Sequence, residues 1–199
     1  KNSLIIKKNN IIFNNSVGDI TAVNSETGEL VWQAPTQSKK IYDESMFFKN
    51  SDLISAKNSI LFSNNKNGFY SLDADSGLVN WKQKINSNVR PVFFNNLIFT
   101  VTNEGYLVVL DNESGKLIRS NYLLSNFKKK KRKKIKPVGF IAGQNNLYLT
   151  LNNGKLLVVD IRTGSVNTVL KIDREKVSSP IVQGQNLYVT KNNSIIKLN

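Results

Sequence analysis

The chain has 199 residues and a formal charge of +14, from 28 Lys and Arg against 14 Asp and Glu, with 40% apolar residues and 9% aromatics. That apolar share supports a buried core and excludes a wholly disordered chain, and the length suits one or two domains. The sequence holds no Cys and no His, which excludes disulfides, thiol catalysis, Cys-ligated metals, His-metal triads and Ser-His-Asp chemistry. No apolar run approaches the ~18 residues that a membrane-spanning helix needs. The chain opens at Lys1 without a Met or a signal-like segment, so it is expected to be mature, trimmed or a fragment. Asn is abundant, and an AT-rich genome produces the same bias, so the composition carries no functional argument by itself.

Taken from the N-terminus, the first predicted strand is Asn10-Ile-Ile-Phe13. The next runs from Gly18 to Asn24 and ends in the turn Asn24-Ser-Glu-Thr27-Gly28, and the one after it carries Trp32. The pattern then returns. The strand signal recurs at Asn58-Ser-Ile-Leu-Phe62, Asn96-Leu-Ile-Phe99, Asn146-Leu-Tyr-Leu149 and Asn186-Leu-Tyr-Val189. The glycine-bounded segment recurs at Gly68 to Gly77, Gly105 to Gly115 and Gly154 to Gly164, with Asp73, Asp111 and Asp160 opening the turn. Pro91-Val92, Pro137-Val138 and Pro180-Ile181 precede three of the copies. A period of about forty residues, with four short strands per period and no sustained helical periodicity, predicts an all-β fold: a β-propeller of four-stranded antiparallel blades. An open β-solenoid competes; a sandwich does not repeat at this period. About four and a half repeats are expected, near 1–35, 45–84, 88–121, 135–171 and 176–199, in one partial propeller domain.

The motif Ala22-Val-Asn-Ser-Glu-Thr-Gly-Glu-Leu-Val-Trp32, returning as Leu72-Asp-Ala-Asp-Ser-Gly-Leu-Val-Asn-Trp81, resembles the PQQ-like (quinoprotein-type) propeller repeat. In that family the turn glycine and the tryptophan dock one blade on the next. The resemblance implies docking roles for Gly28, Trp32, Gly77, Trp81, Gly115 and Gly164, with Arg119 and Thr168 at the later Trp positions. The ending, residues 176–199, resembles the C-terminal part of BamB-like lipoproteins of outer-membrane β-barrel assembly. It implies an eight-bladed parent whose first half is absent here. The function so implied is a non-enzymatic periplasmic scaffold, associated with the outer membrane, whose partner is a barrel-assembly protein. A quinoprotein dehydrogenase fragment is the alternative, and a generic surface- or protein-binding propeller is a third. The dehydrogenases need Ca²⁺ bound by oxygen ligands, a catalytic Asp, a Trp floor and usually a Cys pair. Here the acids recur at equivalent turns rather than converging. No catalytic residue, cofactor, metal site or small-molecule substrate is expected.

Two insertions fall outside the repeat. Residues 127–136 hold Lys128, Lys129, Lys130, Lys131, Arg132, Lys133, Lys134 and Lys136 between the third and fourth repeats. Such a run is expected to be an exposed, mobile loop between blades. One reading is a solvated loop with no partner; the others make it a candidate contact for anionic lipid head groups or for an acidic protein surface. Nucleic acid is disfavoured, because no interleaved aromatics and no groove-reading motif accompany the charge. Residues 39–49 carry the apolar cluster Ile41, Tyr42, Met46, Phe47 and Phe48. Its expected role is to cap the core; a protein contact through Tyr42, Met46, Phe47 and Phe48 is the other reading.

Overall fold

The computed structural model describes residues 3–15, 18–36, 50–64 and 68–198. Five sheets follow one another along the chain. The first joins β1 (Leu4–Lys7), β2 (Asn10–Asn14), β3 (Ile20–Asn24) and β4 (Leu30–Ala34) in that order. The second joins β5 (Ile54–Ala56), β6 (Ser59–Asn64), β7 (Gly68–Asp73) and β8 (Val79–Gln83). The third holds β9 (Val92–Phe94), β10 (Leu97–Val101), β11 (Tyr106–Asp111) and β12 (Leu117–Tyr122). The fourth holds β13 (Pro137–Ala142), β14 (Asn146–Leu151), β15 (Lys155–Asp160) and β16 (Val166–Lys171). The fifth has three strands, β17 (Ile181–Gln183), β18 (Asn186–Lys191) and β19 (Ser194–Leu198). Two compact units divide the chain: residues 1–98 with 110–116, and residues 99–109 with 117–199.

Burial follows strand position. The middle strands β6 and β7 are covered on both faces, with Ile60, Leu61, Phe62, Phe69 and Leu72 fully buried. Their side chains alternate between the two faces, so burial of consecutive residues requires a neighbour on each side. In the first unit Ile12, Ile20, Ala22 and Trp32 of the first sheet share a core with Ile60, Phe62, Tyr70 and Leu72 of the second. Phe62 and Tyr70 stack there, with centroids 5.1 Å apart.

The Asp/Asn–Ser/Thr–Gly turn owes its shape to local chemistry. The Asp73 carboxylate accepts from the Asp75 and Ser76 amides at 3.1 and 2.9 Å and from the Ser76 hydroxyl at 2.8 Å. Asn24, Asp111 and Asp160 make the same amide contact to Thr27, Ser114 and Thr163. The chain then turns through the left-handed region, φ +73° at Gly77, which a Cβ would oppose.

A β-bulge recurs just beyond this turn. Ala22 faces Trp32 and Val23 faces Leu30, which leaves Val31 as the extra residue. Ser71 faces Trp81 and Leu72 faces Val79. Val158 faces Thr168 and Val159 faces Val166. Strict alternation would put Leu30 and Trp32 on one face. The inserted residue puts them on opposite faces. Trp32 is accordingly buried, while Leu30 is 63% exposed.

Candidate functional site

Each of the first three sheets docks on the next through the turn. The Trp32 indole donates from Nε1 to the Ala74 carbonyl at 3.2 Å, and Trp81 donates to Asn112 at 3.0 Å. Both rings lie directly over a turn glycine. A Cβ on Gly77 would stand 2.5 Å from Trp32 Cε3, and one on Gly115 would stand 2.4 Å from Trp81 Cδ2. Ion pairs flank the same junctions, Lys8 to Asp75 at 2.7 Å and Lys57 to Glu113 at 3.2 Å. In the second unit Arg119 stands where the tryptophan stood. Its guanidinium donates to the Ile161 carbonyl at 2.9 Å and also to that of Arg162. Ile161 follows the turn acid as Ala74 and Asn112 do, so Arg119 serves the same acceptor by charge rather than by an indole. Gly164 lies against Asn121 and Arg119. Gly28 belongs to the first sheet, and a Cβ added there would meet nothing within 4 Å among the described residues; its φ of +73° calls for glycine.

Asp73, Asp111 and Asp160 are each engaged by their own turn. Amide and hydroxyl donors from Ser76 hold the Asp73 carboxyl below its ordinary range. The Ser114 hydroxyl and amide do so for Asp111, and the Thr163 amide and hydroxyl for Asp160. Asp173, paired with Lys191 at 2.7 Å, falls to about 2. Among the described residues no three acidic side chains gather into a set that could hold a metal ion. No helix among them is long and apolar enough to cross a membrane.

The basic run is folded, which corrects the expectation of a loose loop. Lys129–Arg132 forms one helical turn, α1. Phe127 and Ile135 are buried at its two ends, 8% and 5% exposed, and anchor it. Arg132 turns back and donates to the Phe127 carbonyl at 2.8 Å and the Ser125 carbonyl at 2.6 Å. It also lies 5.8 Å from the Tyr122 ring centroid. Lys128 to Lys131, Lys133, Lys134 and Lys136 remain exposed. The structure therefore divides the run into seven outward lysines and one inward arginine. It also supplies aromatics that the linear sequence hid. Tyr122 packs on Tyr106 with centroids 4.8 Å apart, and Lys155 sits 4.9 Å over the Phe127 ring. The second candidate contact, Tyr42, Met46, Phe47 and Phe48, lies outside the described residues.

Exposed apolar residues recur at equivalent positions, a feature not legible in the sequence. At the second residue after the turn glycine, Leu30, Val79 and Leu117 are 63%, 54% and 61% exposed, with Val31, Leu78 and Ile118 exposed beside them. All lie in or next to β4, β8 and β12, each the last strand of its sheet. In the first two sheets the bulge turns Leu30 and Val79 away from the tryptophan's face.

Sheets of this make, docked through turn glycines, define a β-propeller. Solved structures agree. BamB from Moraxella catarrhalis superposes with a TM-score of 0.59 at 10% identity, covering 98% of this chain and 70% of that one. The Cps50 (Swd1) β-propeller domain from Myceliophteria thermophila gives 0.73 at 12% identity, covering 98% and 63%. Quinohemoprotein alcohol dehydrogenase from Comamonas testosteroni gives 0.68 at 12%, covering 98% and 38%. The chain thus spans less than two thirds of the length of the last two, and these likenesses establish the fold alone. No curated protein sequence matches. The family model described as outer membrane protein assembly factor BamB matches residues 1–121, and the chain belongs to that family.

Proposed function

We propose that this protein is a non-enzymatic interaction propeller that acts at the periplasmic side of the outer membrane and assists the assembly of β-barrel proteins. The observation that carries the reading is the recurrent exposure of Leu30, Val79 and Leu117 on edge strands. An edge strand offers unpaired backbone donors and acceptors to an extended chain, and the apolar residues beside it reward an apolar partner. A nascent barrel strand has both properties. It alternates apolar and polar residues and presents unpaired backbone groups until the barrel closes. Family membership supports the same role. The experiment is a binding assay between the chain and a urea-unfolded outer-membrane barrel protein diluted into buffer. Leu30→Asp, Val79→Asp and Leu117→Asp together place a charge on the exposed edge strand of each of three sheets. Binding is expected to fall about a hundredfold, since three apolar contacts near 1 kcal/mol each are lost. Undiminished binding by a folded triple variant overturns the edge-strand role.

The dehydrogenase-like neighbour keeps a second reading in view. Titration with the quinone and Ca²⁺ separates the two, because a cofactor-binding chain develops a saturable absorbance change. A scaffold does not.

A further inference from the structure

A different surface concentrates positive charge. From Leu117 to Val159 the sequence contains ten Lys and Arg and no Asp or Glu. The fold gathers most of that charge at one place. Lys128, Lys129, Lys130, Lys131, Lys133 and Lys134 project from the turn around α1, Lys136 reaches the Asn103 carbonyl at 3.3 Å, and Lys155 stands over Phe127. Glu104, next to Asn103, is the one acid in the turn that Lys136 touches. Like charges at this density repel and raise the free energy of the folded turn. Yet Phe127, Ile135 and the inward Arg132 hold it folded.

We propose that this turn docks the protein on a membrane surface bearing anionic phospholipid head groups. Three features select that occupant. The outward cations are all lysines, compact point charges suited to a diffuse sheet of phosphates rather than to one bidentate site. The only arginine in the turn is consumed by backbone carbonyls. Tyr122 is occupied by Tyr106 and by the Arg132 guanidinium, so the site lacks the open stacking faces on which single-stranded nucleic acid depends. Tyr106, half-exposed at the edge of the patch, adds an amphipathic ring of the kind that favours the membrane–water boundary.

The test is flotation of the chain with vesicles of phosphatidylcholine alone and with 30% phosphatidylglycerol (probe compositions on the order of those that resolve polybasic binding). Two variants are compared with the parent. One replaces Lys128, Lys129, Lys130, Lys131, Lys133 and Lys134 with Gln. The other removes the same formal charge elsewhere, at Lys84, Arg90, Lys171, Arg174, Lys176 and Lys197. Neither touches the buried anchors, and circular dichroism checks that both fold. The parent is expected to float only with the anionic vesicles at 0.1 M salt. The turn variant should lose roughly a hundredfold or more in partitioning, and the charge-matched variant no more than about threefold. Equal losses in the two variants would assign the effect to net charge and overturn the proposal. So would a parent that ignores anionic vesicles, whether or not it binds an acidic protein or a single-stranded RNA through the same lysines. Because barrel-protein binding is read on the edge strands, either result leaves the edge-strand experiment independent.

Discussion

Replacing Gly77 with Ala tests the inter-sheet joint, and Gly28→Ala supplies its internal reference. Both residues have φ of +73° and follow the same Asx turn. An alanine held in this region costs about 1–2 kcal/mol, offset in part by about 0.4–1 kcal/mol from a stiffer unfolded chain. That net cost is common to the two variants. Only Gly77 faces a ring: its added Cβ would lie 2.5 Å from Trp32 Cε3 and 2.7 Å from Cδ2. The indole cannot simply retreat, because Nε1 is tied to the Ala74 carbonyl. Overpacking of this kind costs about 1–3 kcal/mol. Gly77→Ala should therefore be less stable than Gly28→Ala by that amount, a shift of about 1 M in urea midpoint for a typical slope. Equilibrium unfolding followed by intrinsic fluorescence suits the question, since Trp32 and Trp81 are the only tryptophans. The native emission of Gly77→Ala should also change, whereas that of Gly28→Ala should match the parent. Equal midpoints for the two variants would refute the claim that the glycine–indole contact locks the sheets.

Further outcomes are expected at other junctions. Arg119→Leu strands the carbonyls of Ile161 and Arg162 and should cost about 1–3 kcal/mol, while Arg119→Lys recovers only part because it lacks the planar fork; urea unfolding of the two variants measures the difference. The Asp173 carboxyl titrates lower in the folded chain than in the unfolded one, so its contribution is complete above about pH 4. It should drain away as pH falls toward about 2, and Asp173→Asn should flatten that part of the stability profile, which thermal melts between those limits can follow. Phe127→Ala should release the basic turn without unfolding the sheets. Hydrogen exchange then reports faster exchange at Lys131, Lys134 and Ile135, whose amides bond within the turn, and unchanged protection in β14 and β15.

The sequence by itself determined the all-β class, the forty-residue period and the turn chemistry. Those depend on local preferences: β-prone runs too short for helices, Asp or Asn opening a turn, and glycine where φ is positive. The likeness of Trp32 and Trp81 was legible because the same residue type returned at the same offset. Arg119 was placed at the equivalent position, but its role was not legible, since a charged side chain and an indole share no pattern. Only the assembled sheets showed that both deliver an N–H to the equivalent carbonyl, that of the residue after the turn Asp. The bulge beyond three of the turns was hidden as well, because one extra residue depends on the partner strand's register. It alone decides that Trp32 turns inward while Leu30 turns outward. The lysine run was plain as charge, but its folding was decided by Phe127, Ile135 and Arg132, whose contacts come from burial and from carbonyls that only the tertiary structure brings within reach.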